Sequence, residues 1–301
     1  MGSTSDAATP EQRGTVAGGS VAVLLLAGVV CAAEPAPGDD KRRFHLFDPT
    51  PREQMREMTP DRPDVTESPY TVDAGHVQIE MDAVRFTYDR HNAEHTNTRV
   101  ESWSVGDANV KIGLLNDLDL QVVTPIYNQV DVDDHTTRTT SRHHGFGDLT
   151  VRVKYNFWGN DGGPTAFGVM PFVKFPTNQD DLGNDAIEAG LILPLAVELP
   201  RQWDLGLMAE IDFDEDADGD GFHQEFVNTM TVGHRIVGDL AGFVEFVSIA
   251  TTDSDGHWIG LVDFGPTYAV TADLQLDAGV VLGISRAADD VSPFAGLSWR
   301  F

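Results

Sequence analysis

The sequence predicts an all-β chain, an antiparallel transmembrane β-barrel of about twelve strands behind an N-terminal signal peptide. Three observations predict it. Apolar and polar residues alternate with a period of two over windows of about ten residues, the length of a tilted strand crossing a bilayer. The connections between these windows are short after even-numbered strands and long and polar after odd-numbered ones. Trp103, Trp158, Trp203, Trp258 and Trp299 all stand close to predicted strand ends, where an interfacial aromatic girdle lies.

The chain opens with an apolar run, Val16 to Ala33, that ends in Cys31-Ala32-Ala33 and is followed by Glu34-Pro35-Ala36-Pro37-Gly38. The run is short for a membrane span and ends in small residues, so residues 1–33 read as a secretory signal peptide. Arg13 is its one cation, opposed by Asp6 and Glu11. Acylation of Cys31 is the competing reading, against which the branched Val30 stands where a small residue belongs. Cys31 is the one cysteine, so cleavage leaves no thiol for a disulfide, a thiolate metal site or a nucleophile. Residues 34–72 carry Pro at 35, 37, 49, 51, 60, 63 and 69 and read as a periplasmic linker or a segment tucked into the barrel. Only Pro51 to Met58 suits a short helical turn.

Residues 73–301 carry the barrel. Weaker alternation marks strands near 76–88 and 99–114, and Leu118 to Tyr127 forms the third. Leu149 to Phe157, 165–175, Ile187 to Leu199 and Trp203 to Phe213 follow, then 223–237, 239–251 and 257–270. Leu274 to Ile284 is the eleventh, and Pro293 to Phe301 the twelfth. Short turns fall at Asn116-Asp117, Gly159 to Pro164, Pro200 to Gln202, Gly238-Asp239 and Thr271-Ala272. Long loops fall at Arg90 to Thr98, Asp131 to Gly145, Pro176 to Asp185, Glu215 to Phe222, Thr252 to Gly256 and Arg286 to Val291. Closure pairs the last strand with Val77 to Val84 and leaves no exposed edge. A soluble β-sandwich has no reason to sort its loops in this way.

Several stretches resemble outer-membrane transporters of the meta-pathway phenol-degradation family. They are Asp61-Arg62-Pro63-Asp64-Val65-Thr66-Glu67-Ser68-Pro69-Tyr70, Gly147-Asp148-Leu149 through Lys154-Tyr155, Lys174-Phe175-Pro176-Thr177, Gly190 to Leu199 and Gly265-Pro266-Thr267-Tyr268. The resemblance runs from about residue 61 to the carboxyl terminus. It implies a location in the outer membrane of a Gram-negative-type bacterium and passive passage of small, aromatic solutes. It also implies that Trp299 and Phe301 suit recognition by the barrel-assembly machinery. It carries no catalytic residue.

With apolar faces turned to lipid, the lumen receives Lys111, Arg152, Lys154 and Lys174 on one wall. Glu188, Glu198, Glu210, Glu225, Glu245, Asp263 and Asp277 line the other. Two readings follow: a narrow pore with a transverse field, or a filled lumen in which these groups satisfy one another. Asp214-Glu215-Asp216-Ala217-Asp218-Gly219 followed by Glu225 matches the D-x-D-x-D-G-x5-E calcium loop, with Asp214, Asp216, Asp218 and Glu225 as ligands. The flanks read as strands, so a solvated hairpin tip stands beside the calcium reading.

His91, His95, His135, His143 and His144, with Asp131, Asp133 and Asp134, offer a divalent-metal contact at the mouth or plain loop histidines. His234 and Ser248 are the nearest thing to a hydrolase pair, and their strand positions give them no special pairing. No cofactor is expected beyond that candidate calcium. With 48 acidic residues against 20 basic ones and a net charge of -28, nucleic acid is excluded as a partner. The expected partners are outer-membrane lipid, a small-molecule solute and the assembly machinery. A passive channel is the leading function, and a closed structural or surface-interaction barrel with acidic loops is the alternative.

Overall fold

Alternation in the sequence becomes a single closed antiparallel sheet. The structure, a computed structural model, describes residues 41–90, 97–180, 182–216, 221–253 and 256–301. The expected signal peptide, with Cys31, lies outside these residues, as do His91, His95 and Asp218. Fifteen hydrogen-bonded segments make twelve barrel strands, because three strands are interrupted midway. They are β1 (Val77–Asp89), β2 (Thr98–Val105 and Asp107–Leu115), β3 (Leu118–Thr124 and Tyr127–Asp134) and β4 (Thr139–Gly145 and Leu149–Trp158). Then come β5 (Thr165–Phe175), β6 (Glu188–Leu199), β7 (Trp203–Glu215), β8 (Phe222–Val237) and β9 (Leu240–Thr251). β10 (Ile259–Thr271), β11 (Leu274–Gly283) and β12 (Val291–Arg300) complete the barrel.

Each strand pairs with its sequence neighbour, and β12 returns to β1 from Gln78↔Arg300 to Tyr88↔Val291. That is the closure expected for the carboxyl-terminal strand. Phe301 extends it by donating its backbone N–H to the Val77 carbonyl at 2.8 Å, while the exposed rings of Trp299 and Phe301 meet at a tilt with centroids 4.1 Å apart. Closure leaves no unpaired edge in the ring of strands, which a bilayer could not solvate. Among the described residues Thr139–Gly145, beyond that ring, pairs on one side only.

The interruptions have local causes. Gly106, at φ +79°, breaks β2 so that its two halves pair with different parts of β1. Pro125 lacks an N–H and breaks β3. Gly147 packs beside it at the break in β4, where a Cβ would come within 2.9 Å of the Pro125 ring.

Two expectations need correction here. Asp131 to Gly145 is not a loop: Tyr127–Asp134 and Thr139–Gly145 pair from Asn128↔Gly145 to Asp134↔Thr139 and prolong β3 and β4 as a ribbon. One face of this ribbon carries ion pairs across strands, Arg142 with Asp131 and Arg99 with Asp133, and Thr139–Gly145 has no large apolar residue on either face. It therefore lacks the apolar alternation that marks a strand. Trp103 consequently lies inside the lengthened β2 rather than near its end. All five Trp side chains are nevertheless 40–48% exposed, on the outer surface.

Candidate functional site

The lumen is occupied by the chain's own residues. Before β1, residues 41–58 lie across the short-turn end of the barrel, held by Leu46 N–H to the Leu114 carbonyl (2.9 Å) and by Arg300 to the Arg56 carbonyl (2.9 Å). The helical turn expected in Pro51 to Met58 is a single 3-10 turn, Arg52–Gln54. Residues 59–70 then enter the barrel, cross it, and return to the same end before β1 begins.

An extended segment inside a barrel must find partners for its backbone, since it has no ladder of its own. The lumen wall supplies them. Glu80 accepts the N–H groups of Asp61 (3.1 Å) and Arg62 (3.2 Å). Glu245 accepts those of Val65 (2.7 Å) and Thr66 (2.8 Å). Asn156 donates to the Pro69 carbonyl, Asn160 accepts from Thr71, and Asp119 accepts from Val72.

Side chains of the segment match each wall in charge. Asp61 lies between Lys111 and Lys154, 2.7 Å from the Lys154 ammonium, and also binds the Ser68 N–H and hydroxyl. Lys111 pairs with Glu80 as well. Glu67 pairs with Arg152. Toward β1 and β11, Arg62 reaches Asp82 at 2.8 Å and Asp277 at 2.7 Å. Gly296 makes room for that guanidinium, since a Cβ there would stand 2.1 Å from its nitrogen.

The residues predicted to line a pore therefore divide. Lys111, Arg152, Lys154, Glu245 and Asp277 hold the inner segment. Lys174 and Glu188 pair with each other nearer the long-loop end. Glu198 lies at the short-turn end, on a cavity of about 740 Å³ shared with Asp204, Glu57, Pro60, Pro69 and Tyr70. Glu210 is half-buried, two residues before Asp212 on the same face of β7. Asp263 stands opposite Glu245 in register, buried, with neither carboxylate oxygen hydrogen-bonded. Segment charges lie between the two walls, so the lumen carries local ion pairs where the sequence alone left a transverse field open.

One part of the lumen is apolar. Met170, Ile192, Met208, Val227 and Val247 are buried together, with Phe172, Ile249 and Leu261 packed against them. They occupy adjacent strands β5 to β9. Each of the five shares the inward face of its strand with Lys174, Glu188, Asp212, Glu225 or Glu245 respectively. Burying such a side chain is favourable by about 1.5–3 kcal/mol, so this band is stable only while kept from water. Charge counting on the inward faces overlooked it, although Ile192 and Met208 could be assigned inward from alternation alone.

The calcium-loop spacing does not assemble as expected. Asp214 and Glu225 come together, but their third partner is Asp212. Asp216 instead meets His223 at 3.0 Å. His143 and His144 lie beside Asp180, and His135 donates its backbone N–H to the Asn97 carbonyl. Among the described residues no histidine joins a three-ligand cluster. His234 stacks on Trp203 while Ser248 accepts from Trp258, so the two sit apart in different contacts.

Comparison with solved structures places the fold among outer-membrane barrels. The COG4313 outer membrane channel from Pseudomonas putida F1 superposes with a TM-score of 0.57 at 13% identity, over 81% of this chain and 100% of that one. The NanC porin gives 0.47 at 13% identity, over 74% and 98%. The CymD monoaromatic hydrocarbon channel gives 0.42 at 8% identity, over 75% and 87%. At these identities the likeness is one of fold. No curated protein sequence matches the chain. The family described as "Putative MetA-pathway of phenol degradation" matches residues 60–301, from the inner segment to the last residue. With that match over most of its length and a closed twelve-stranded barrel of the outer-membrane kind, the chain belongs to this family.

Proposed function

We propose that this channel carries small hydrophobic, aromatic solutes passively across the outer membrane, along the apolar band inside β5 to β9. The observation that carries the reading is the band itself. A pore for hydrophilic solutes has no use for five buried apolar side chains on its inner wall, and wetting them is unfavourable. The family description, which names phenol degradation, supports an aromatic solute. Residues 1–33 serve as the export signal in this reading, and the terminal Trp299 and Phe301 serve recognition during assembly. Passage along the band needs no catalytic residue.

Uptake of a radiolabelled arene by cells expressing the protein in their outer membrane tests this. Uptake should exceed that of cells lacking it, and Met208→Asp should return it to background while the folded barrel persists. Equal uptake with and without the protein would sink the reading. The occupied lumen favours the alternative of a closed structural barrel, and that outcome would leave it standing.

A further inference from the structure

Three carboxylates near the long-loop end of the lumen take no part in holding the inner segment. Asp212 and Glu225 face each other directly in the β7–β8 register, and Asp214 follows Asp212 on the same face of β7. One oxygen from each lies within 4.8 Å of the other two. Asp212 is only 8% exposed, and its Oδ1 has no hydrogen-bond partner. Its neighbour across β6 is Gly190, where a Cβ would lie 2.3 Å from that oxygen and 2.4 Å from the Phe172 ring. The glycine therefore leaves a recess that the Asp212 carboxylate fills without being satisfied.

Convergent carboxylates repel, and a buried one without a partner is costly. The cations nearby are engaged elsewhere: Lys174 pairs with Glu188, and His223 with Asp216. We propose that Asp212, Asp214 and Glu225 bind a hard divalent cation, calcium in preference to magnesium, bridging β7 and β8. All three donors are carboxylate oxygens, the ligands that such ions take. Three carboxylate oxygens within 4.8 Å of one another suit calcium, which accepts irregular oxygen sets at about 2.4 Å. They suit magnesium less well, since it demands a near-ideal octahedron at about 2.1 Å and usually takes one or two carboxylates. Three protein ligands leave further coordination places to water, so the affinity falls in the range of about 10⁻⁴–10⁻³ M seen in extracellular calcium modules. The ligand set differs from the loop spacing read in the sequence: Asp212 enters and Asp216 does not.

Calorimetric titration of calcium into the full chain, purified in detergent and freed of metal with chelator, tests the site. One calcium per chain should bind, and at least tenfold more tightly than magnesium. Asp212→Asn and Glu225→Gln, which keep side-chain volume, should each weaken binding at least tenfold, and Asp216→Asn should match the wild type. Heat-modifiable migration establishes that each variant is folded. Calcium should also raise the unfolding temperature of the wild type and of Asp216→Asn alike, a readout that needs no ligand variant. Absence of saturable binding by the wild type overturns the proposal. So does wild-type binding by folded Asp212→Asn, or loss of binding in Asp216→Asn, which would place the ion in the loop.

Discussion

Asp61 is the residue on which docking of the inner segment turns, and Asp61→Asn is the most informative single change. The substitution keeps the shape and leaves the Ser68 contacts able to form, but it removes the charge between Lys111 and Lys154. Lys111 retains Glu80. Lys154 is wholly buried and keeps one ion pair among the described residues, with Glu67 at 3.9 Å. The carboxylate of Asp119 also faces it across the β3–β4 register. Removing one partner of a buried ion pair typically costs about 3–5 kcal/mol. At about 1.4 kcal/mol per tenfold, the ratio of docked to undocked segment should fall by roughly a hundred- to several-thousand-fold. Single-channel recording in planar bilayers reads this directly. Wild-type protein should show small or infrequent openings, and Asp61→Asn larger or far more frequent ones. The exposed Asp48, converted to Asn, serves as the charge control. If folded Asp61→Asn gives the same traces as the wild type, the inner segment does not gate the lumen and the reasoning fails.

Glu245→Ala should also raise conductance, because it leaves the buried N–H of Thr66 without its acceptor, at about 1–3 kcal/mol, and removes the acceptor of the part-buried Val65 N–H. Asp263→Asn should leave conductance alone and raise the thermal unfolding temperature, since it relieves repulsion between two facing buried carboxylates. At the short-turn end, burial alone would raise Asp161, but the Asn116 hydrogen bond and the Arg56 and Lys41 charges hold its carboxyl below the ordinary value of 3.8. A depressed carboxyl stabilises above its free pKa and loses that contribution as pH falls through the lowered one. Openings should therefore increase as pH drops below about 4, and Asp161→Asn should abolish that acid response; bilayer recordings across this range check it. Deleting Trp299 to Phe301 removes the Phe301 bond to Val77 and the anchoring of Arg300 on Asp273, and should abolish the heat-modifiable species. Shortening Glu215 to Gly221 should preserve that species.

Where the sequence was legible, the signal was local. Leu149 to Phe157 alternates because one face meets lipid and the other the lumen, and a strand reports that difference every second residue. The ribbon of Tyr127–Asp134 and Thr139–Gly145 is a strand pair too. But only Val130 and Val132 alternate with polar residues in its first strand and its second carries no large apolar residue, so the pattern is too short to mark a strand. The inner segment reads as a proline-rich stretch, and its motif from Asp61 to Tyr70 stands out by resemblance. A tucked-in segment is one of its two readings, but its partners in the lumen are not legible, because Arg62 finds Asp277, 215 residues away, only once the barrel has closed. The acidic cluster shows the same limit. Spacing pointed to Asp216, whereas the β7–β8 register sets Asp212 opposite Glu225.

The sequence by itself determined a closed twelve-stranded barrel, its two unlike ends and its terminal strand, since period, turn length and aromatic position are properties of short stretches. Only the tertiary structure decided what the barrel contains. A lumen exists as a space only when twelve strands surround it. Which charges meet there, which apolar side chains join into a band and which carboxylates remain without partners depend on residues far apart in the chain.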